Sequence, residues 1–384
     1  MLLLIIYVSF ISLGLPDAVL GAAWPTMYGE LSAKVGWAGG INMLISLGTV
    51  VSSLLTARFV QRLGTGRLVL YSVLLTALML CCFALAPNFW MLLLFALPLG
   101  LGAGAVDAAL NSYVSLHYEA RHMNWLHCFW GLGASVGPML VSVSMRLGVG
   151  WRGGYLSISL LQALFVWALF RALPLWEKDG GASAKIEKQP LPFAMLKVPD
   201  VPFAVLSFFF YCVVEWLAGL WGASYLVLTR GVARDAAAAF SALFFGGIML
   251  GRLLSGFLSI NCSYGAVQSL GGVILTLGWV ALFALPAALC GTAMFLIGLG
   301  CAPFYPMLIH RTPHNFGEKN APSVISLQMA TAYTGTLLVP PLFGALSGEK
   351  YLYSLPYVAL ILTAMLCLCV YMADRRARGA QKEA

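Results

Sequence analysis

Residues 100–138 read GLGAGAVDAALNSYVSLHYEARHMNWLHCFWGLGASVGP, and this run decides the fold. It places one acid, Asp107, in the middle of a stretch otherwise apolar enough to lie in a membrane. A charged side chain at the centre of a bilayer costs about 2.5–3.5 kcal/mol on insertion scales, so Asp107 should face a cavity or a partner and not lipid. Gly100 and Gly104 form a G-x-x-x-G step that lets another helix approach the backbone, and Asn111 stands one turn from Asp107 on the same face. In the following segment Asn124, His127, Gly131 and Ser135 recur at spacings of three and four, which makes one polar, small-residue stripe along an aromatic and aliphatic helix. Two neighbouring membrane helices thus turn polar faces to a shared interior.

The remainder of the chain agrees. Of its 384 residues 61% are hydrophobic and only 9% charged, too little polar surface for a water-soluble globule. Apolar runs of about 20 residues, each long enough to cross a hydrocarbon core of roughly 30 Å, recur twelve times from end to end. Among them are spans at 2–27, 36–57, 68–86, 201–228, 236–258, 265–284, 288–310, 322–346 and 354–373. The reading is an all-α integral membrane protein of twelve transmembrane helices. Residues 174–200, rich in Lys, Glu, Gly and Pro, read as a cytoplasmic linker between bundles at 1–173 and 201–373, with a cytoplasmic tail at 374–384.

The net charge of +8 invites a nucleic-acid partner, but its placement argues against one. With the N-terminus inside, 16 of the 22 Lys and Arg residues fall in cytoplasmic loops and helix ends and 6 on the opposite side. That is positive-inside bias, which predicts a multi-pass protein of the cell (inner) membrane with both termini in the cytoplasm. The first apolar run lacks a basic segment before it and is expected to stay as a span, not to be cleaved as a signal peptide. Nine cysteines form no C-x-x-C spacing, so neither a metal site nor a disulfide framework is expected, and no cofactor is implied.

Two further acids lie inside spans. Asp17, in GLPDAVLGAAWP, shares a face with Gly14, Gly21 and Trp24. Pro16 and Pro25 loosen its helix, and broken helices in membranes are tolerated only where they line protein or a cavity. Glu215 lies in YCVVEWLAGLWGASYL of the seventh span. An offset of 198 carries Asp17 to Glu215, Gly48 to Gly246, Leu55 to Leu253, Phe59 to Phe257 and the Gly-Leu-Gly at Gly100 to that at Gly298, which points to two parallel six-helix repeats. Asp107 lands on Tyr305. Tyr305 and Gln328 are the main polar insertions of spans ten and eleven. Arg252 lies toward the cytoplasmic end of span eight, where its long side chain is expected to snorkel to the interface.

These residues resemble the major facilitator superfamily, and within it the fucose-galactose-glucose proton symporters. The likeness covers nearly the whole chain and is specific in spans one, four, five and seven. The Gly-Leu-Gly at 100–102, Asp107 and Asn111 match that family's fourth helix, with Asp107 where the fucose permease pattern has Glu. Asp17 matches the acid of its first helix. His127 and Trp130 stand in the fifth where smaller amides are usual. ARFVQRLGTGR is similar to the superfamily's loop between spans two and three; Ala57 and Gln61 depart from the pattern, while Arg62, Gly64 and Arg67 keep it. The resemblance implies that this loop gates, although ordinary positive-inside cations explain the same residues.

The functional expectation is secondary active transport of a small polar solute, a sugar by resemblance, through proton-coupled alternating access. Burial penalises the charged form of a carboxyl, which is how acids within membranes come to exchange protons near neutral pH. Asp107, Asp17 and Glu215 are the expected proton-coupling residues. The solute is expected to meet Asp17, Asn111, Asn124, His127, Trp130, Glu215, Tyr305 and Gln328, with Trp24 and Trp216 as further aromatic neighbours. His127 has the alternative of being a packed histidine bonded to the fourth span. Proton-antiport efflux of an amphipathic compound is the rival reading within transport. A membrane enzyme is disfavoured because no H-E-x-x-H or G-x-S-x-G is present, and a sensor because no soluble signalling domain is appended. The expected partners are solute, protons and the lipid bilayer, and the chain is expected to work as a monomer.

Overall fold

The computed structural model describes residues 1–118, 120–177, 192–198, 200–317 and 320–383, with some side chains, including that of Asn124, outside the description. No strand occurs among the described residues. Among the described residues fourteen α-helices supply twelve candidate membrane spans. In chain order they are α1 (Leu2–Asp17), α2 (Val19–Glu30), α3 (Ala38–Leu63), α4 (Thr65–Leu85), α5 (Phe89–His117), α6 (Ala120–Arg146) and α7 (Gly150–Glu177). Then follow α8 (Val201–Leu228), α9 (Arg234–Asn261), α10 (Tyr264–Ala284), α11 (Cys290–Cys301), α12 (Phe304–Phe316), α13 (Ala321–Ser347) and α14 (Leu355–Glu383). The pairs α1–α2 and α11–α12 each make one span broken in the middle.

Both breaks have a proline beside them, Pro16 in the first span and Pro303 in the tenth. α1 ends at Asp17 and α2 begins at Val19, with only Ala18 between them and Pro16 inside α1. Proline has no N–H to give the carbonyl four residues back, so Ser12 O needs another donor. Gln162 Nε2 of α7 supplies it at 2.7 Å. α13 repeats the device across the molecule: Pro340 leaves Thr336 O free, and Asn42 Nδ2 of α3 donates to it at 3.4 Å.

The predicted repeat is visible as packing. A Cβ added at Gly100 would stand 1.9 Å from Ile45 O of α3, and one added at Gly298 would stand 1.9 Å from Phe244 O of α9. The same glycine therefore sets the same close helix contact in each half.

Twelve crossings bring the ends of the first and last spans to one face of the bundle, the near face. The two sets of six spans meet at the far face and along one seam. α2 packs on α8, α3 on α13, and α6 runs beside α9. The far-face contacts are nearly bare backbone. A Cβ at Gly21 would lie 2.0 Å from Gly219 O, one at Gly36 2.3 Å from Gly344 O, and one at Gly39 2.5 Å from the Cα of Pro341. Surface ion pairs flank this closure, Arg146 Nε to Asp235 at 3.0 Å across the halves and Arg152 to Glu30 within the first. Among the described residues α1 and α5 make no comparable contact with α8, α12 or α13, so a cleft opens toward the near face.

α14 continues past its span to Glu383, so most of the expected tail at 374–384 is helical. The linker at 174–200 begins as the last turn of α7 and resumes as a short 3₁₀ turn, Pro192–Lys197; residues 178–191 and 199 lie outside the described residues.

Candidate functional site

Asp17 sits at the break of the first span, and Gly14 one turn earlier decides what it meets. A Cβ at Gly14 would stand 2.2 Å from Trp130 O, so α6 lies hard against α1 there. That approach brings the indole of Trp130 to the acid, and its Nε1 donates to Asp17 Oδ2 at 2.7 Å. Trp24 takes a different place. Its indole is fully buried and donates to Val35 O at 2.6 Å, pinning the far-face turn and not the acid.

Glu215, 9% exposed, projects from the unbroken α8 into the same cavity as Asp17 and Trp130. That cavity has about 740 Å³ of empty space counting its mouth, and Asn42, Trp216 and Phe245 also line it. The 198-residue offset therefore predicted a real juxtaposition, since both acids face one space.

Arg252 is the residue of this cluster that sequence reasoning misplaced. It does not snorkel: its side chain is 9% exposed and lies in the interior. α9 runs on to Asn261, nine residues beyond Arg252, which puts the residue about 13 Å from the helix end at 1.5 Å per residue, too far for the head to extend past that end. Its Nη2 lies 3.7 Å from Glu215 Oε1 and 3.4 Å from the Tyr211 hydroxyl. Its guanidinium rests 5.2 Å from the centre of the Trp130 ring and 5.8 Å from that of Tyr305, both within cation–π range. Arg252 thus links Glu215 of the second half to Trp130, and through it Asp17, of the first.

On the near-face side of this cluster a second cavity, about 820 Å³ with its mouth, is lined by Arg252, His127, Tyr305, Ser255, Ser259 and His310 among others. The His127 ring packs 5.8 Å from Tyr305 and edge-on to Phe10 at 5.9 Å. It belongs to the Arg252 side of the site and not to the Asp107 group.

Asp107 and Asn111 form a unit of their own on α5. Asn111 Nδ2 donates to Asp107 Oδ1 at 2.9 Å and to its backbone carbonyl at 3.0 Å. Asp107 acts electrostatically on Asp17 and, across the cleft, on Tyr305 and Tyr333. Gln328 stands apart. It is fully buried, accepts from Thr312 Oγ1 at 3.2 Å and donates to Ala204 O at 3.4 Å, which ties α12, α13 and α8 together without lining either cavity. The side chain of Asn124 lies outside the described residues. At the loop between α3 and α4, Arg62 is exposed in the last turn of α3, and Gly64 joins the helices with φ +78°, a value that glycine adopts without strain. Arg67 is exposed in the first turn of α4.

A family model described as the Major Facilitator Superfamily matches residues 6–288. The chain belongs to the major facilitator superfamily. Membership makes it a transporter and not an enzyme, and it accounts for the paired sets of six spans about a central polar cluster. Bypass of stop codon protein 6 of Saccharomyces cerevisiae is 23% identical to this superfamily member over 94% of the chain and 80% of its own length. The glucose/mannose transporter GlcP of Bacillus subtilis is 23% identical over 88% of the chain and 86% of its own. The niacin transporter NiaP of Acinetobacter baylyi is 32% identical over a shorter part, 37% of the chain and 32% of its own. Among solved structures, the nucleoside transporter NupG superposes with a TM-score of 0.76 at 14% identity, covering 98% of this chain and 99% of NupG. A bacterial homologue of the human lysosomal transporter Spinster, inward-facing and unoccupied, gives 0.74 at 14% identity, covering 98% and 96%.

Proposed function

We propose that this transporter is a proton-coupled symporter that carries a small polar solute of the sugar class by rocking residues 1–173 against 201–373, with 174–200 as the linker. The observation that carries the reading is the common cavity of Asp17 and Glu215, one acid from each half, bridged by Trp130 and Arg252. Lipid tails offer no hydrogen bonds, so these groups must pair with one another, with water or with solute. With both termini in the cytoplasm, the near-face cleft makes this conformation inward-facing. Solute hydroxyls meet Tyr305 in the near-face cavity and Asp17 and Glu215 in the cavity beyond it, where the rings of Trp130 and Trp216 offer flat surfaces to a pyranose. Asp107, held by Asn111 in its own half, is the proton carrier. The glucose/mannose relative supports the sugar class. The loop at Arg62, Gly64 and Arg67 serves as the near-face gate.

The test is flux in proteoliposomes of the full chain. Candidate sugars added to energised vesicles should alkalinise the outer medium as they enter. Asp107→Asn should abolish accumulation against a gradient while solute exchange persists; accumulation by the variant would remove Asp107 from the role. Cysteines placed at 17 and 215 should both react with one water-soluble reagent from the near face, and labelling of either from lipid alone would separate the two acids. A second reading, antiport efflux of an amphipathic compound, draws on the apolar wall of the first cavity, where Leu20, Ile45, Leu99, Ala103 and Phe245 outnumber polar groups. It requires protons to leave the vesicle interior as the compound enters.

A further inference from the structure

Arg252 is more buried than its partners account for. A guanidinium carries five N–H donors and no acceptor. Here one nitrogen has a distant carboxylate at 3.7 Å and a weakly placed hydroxyl at 3.4 Å, while Nε is buried with no hydrogen-bond partner among the described residues. Aromatic faces supply part of the missing stabilisation, but rings do not replace a bidentate acceptor. The side chain borders the near-face cavity, in the company of two serine hydroxyls and His127. Glu215 opens instead into the other cavity, so a carboxylate arriving from the near face meets Arg252 on the side away from Glu215. A buried cation needs one anion close by, and a second carboxylate in the same place would be uncompensated.

From this geometry we infer that Arg252 exchanges partners during transport: the carboxylate of an anionic solute takes the guanidinium, and Glu215, released from it, takes up a proton from water. The inference rests on the transport reading above, adds a solute-linked proton at Glu215 to the one that Asp107 carries independently of solute binding, and narrows the solute to small hydroxylated carboxylates, the acids of the sugar class. The charges balance. Before binding the pocket holds Arg252 as a cation and Glu215 as a carboxylate; afterwards it holds Arg252, the solute carboxylate and a neutral Glu215. One proton becomes bonded to a Glu215 oxygen for each monoanion bound, no bond in the solute breaks, and the pair crosses without net charge. The other titratable groups facing Arg252 and Glu215 are Tyr211 and Cys212 on α8, Cys301 on α11, Tyr305 on α12, and His127 and Cys128 on α6. Asp17 shares the cavity of Glu215. The proton count with Glu215 replaced therefore identifies which group takes the proton.

The experiment uses the purified full chain and two matched probe pairs at equal ionic strength, acetate with acetamide and gluconate with glucose. Binding is read by thermal shift, and proton uptake by an indicator dye in weak buffer. In the wild type each acid should bind better than its neutral partner and should take up one proton as it does so. Glu215→Gln should keep the preference, at about 10- to 100-fold as for a hydrogen bond to a charged group, and should lose the proton. Arg252→Gln should lose both. Equal binding of acid and neutral probes, a preference that survives Arg252→Gln, or proton uptake that survives Glu215→Gln would each overturn the exchange. If Glu215→Gln does not fold, the wild type still decides: the preference for acetate must grow as the medium is made more acid, and a flat profile refutes it. Glucose accumulation in vesicles without any preference for acids would sink the exchange and spare the transport reading. Acid binding with proton uptake but no flux of any probe would sustain the exchange and sink transport.

Discussion

Asp17 ends a helix segment and is held by a neutral indole N–H from its own half, whereas Glu215, 198 residues later, sits in an unbroken helix and faces a guanidinium. The tenth span reverses the pattern, since α11 and α12 are broken beside Tyr305 while α5, its counterpart in the first half, runs unbroken through Asp107. Each half thus pairs one broken span with one continuous span, and the two halves put the break in different members of the pair. Among the described residues Asp17 makes no ion pair, and its hydrogen-bond partner is the Trp130 indole. The charge at Glu215 is tied to Arg252. The repeat sets matching positions in the two halves, and the partners of the acids make the halves different.

The largest effect should come from parting the charged pair. Arg252→Ala leaves the buried Glu215 with no ion-pair partner among the described residues, and such losses cost about 3–5 kcal/mol; a marked drop in melting temperature of the purified protein is expected. Trp130→Phe removes only a neutral donor to Asp17 and should cost about 1–3 kcal/mol. Equal losses in the two variants would break the comparison. A middle-sized test addresses the symmetry itself. Gly100→Ala and Gly298→Ala each push a methyl to 1.9 Å from a carbonyl oxygen of the neighbouring span, and overpacking of that kind costs about 1–3 kcal/mol. Similar melting shifts would mark these contacts as the shared frame, and unequal ones would show which half yields. The smallest effect belongs to the exposed pair Arg146–Asp235, which bridges the halves at the far face. Arg146→Gln should cost at most about 1 kcal/mol, and added salt should erase the difference from the wild type.

The spans were legible because bilayer thickness fixes their length. Residues 201–228 and 265–284 read from hydropathy fall on or within one residue of α8 and α10. The meeting of Asp17 and Glu215 was legible because the repeat offset survives in the sequence. Partner choice was harder to read. Helical spacing shows which residues share a face of one helix but not which neighbour that face meets, and the break at Ala18 resets the phase between Asp17 and Trp24. The acid consequently turned to Trp130, 113 residues away. Arg252 was misread for a related reason: depth in a membrane depends on where the helix ends, and α9 runs three residues past the predicted end. Gln328 looked like a solute ligand because amides are rare in spans, yet buried carbonyls and hydroxyls in its own half need donors and acceptors as much as a solute does.

The bare glycine contacts at the far face turn into an experimental handle. Two surfaces that touch through backbone have no interlocking side chains to adjust, so any added volume acts as a wedge. Gly36→Val, set opposite Gly344, should hold the far face ajar and shift the population toward the opposite conformation without touching Asp17, Trp130, Arg252 or Glu215. A chain so altered would present the other state to binders and to structure determination.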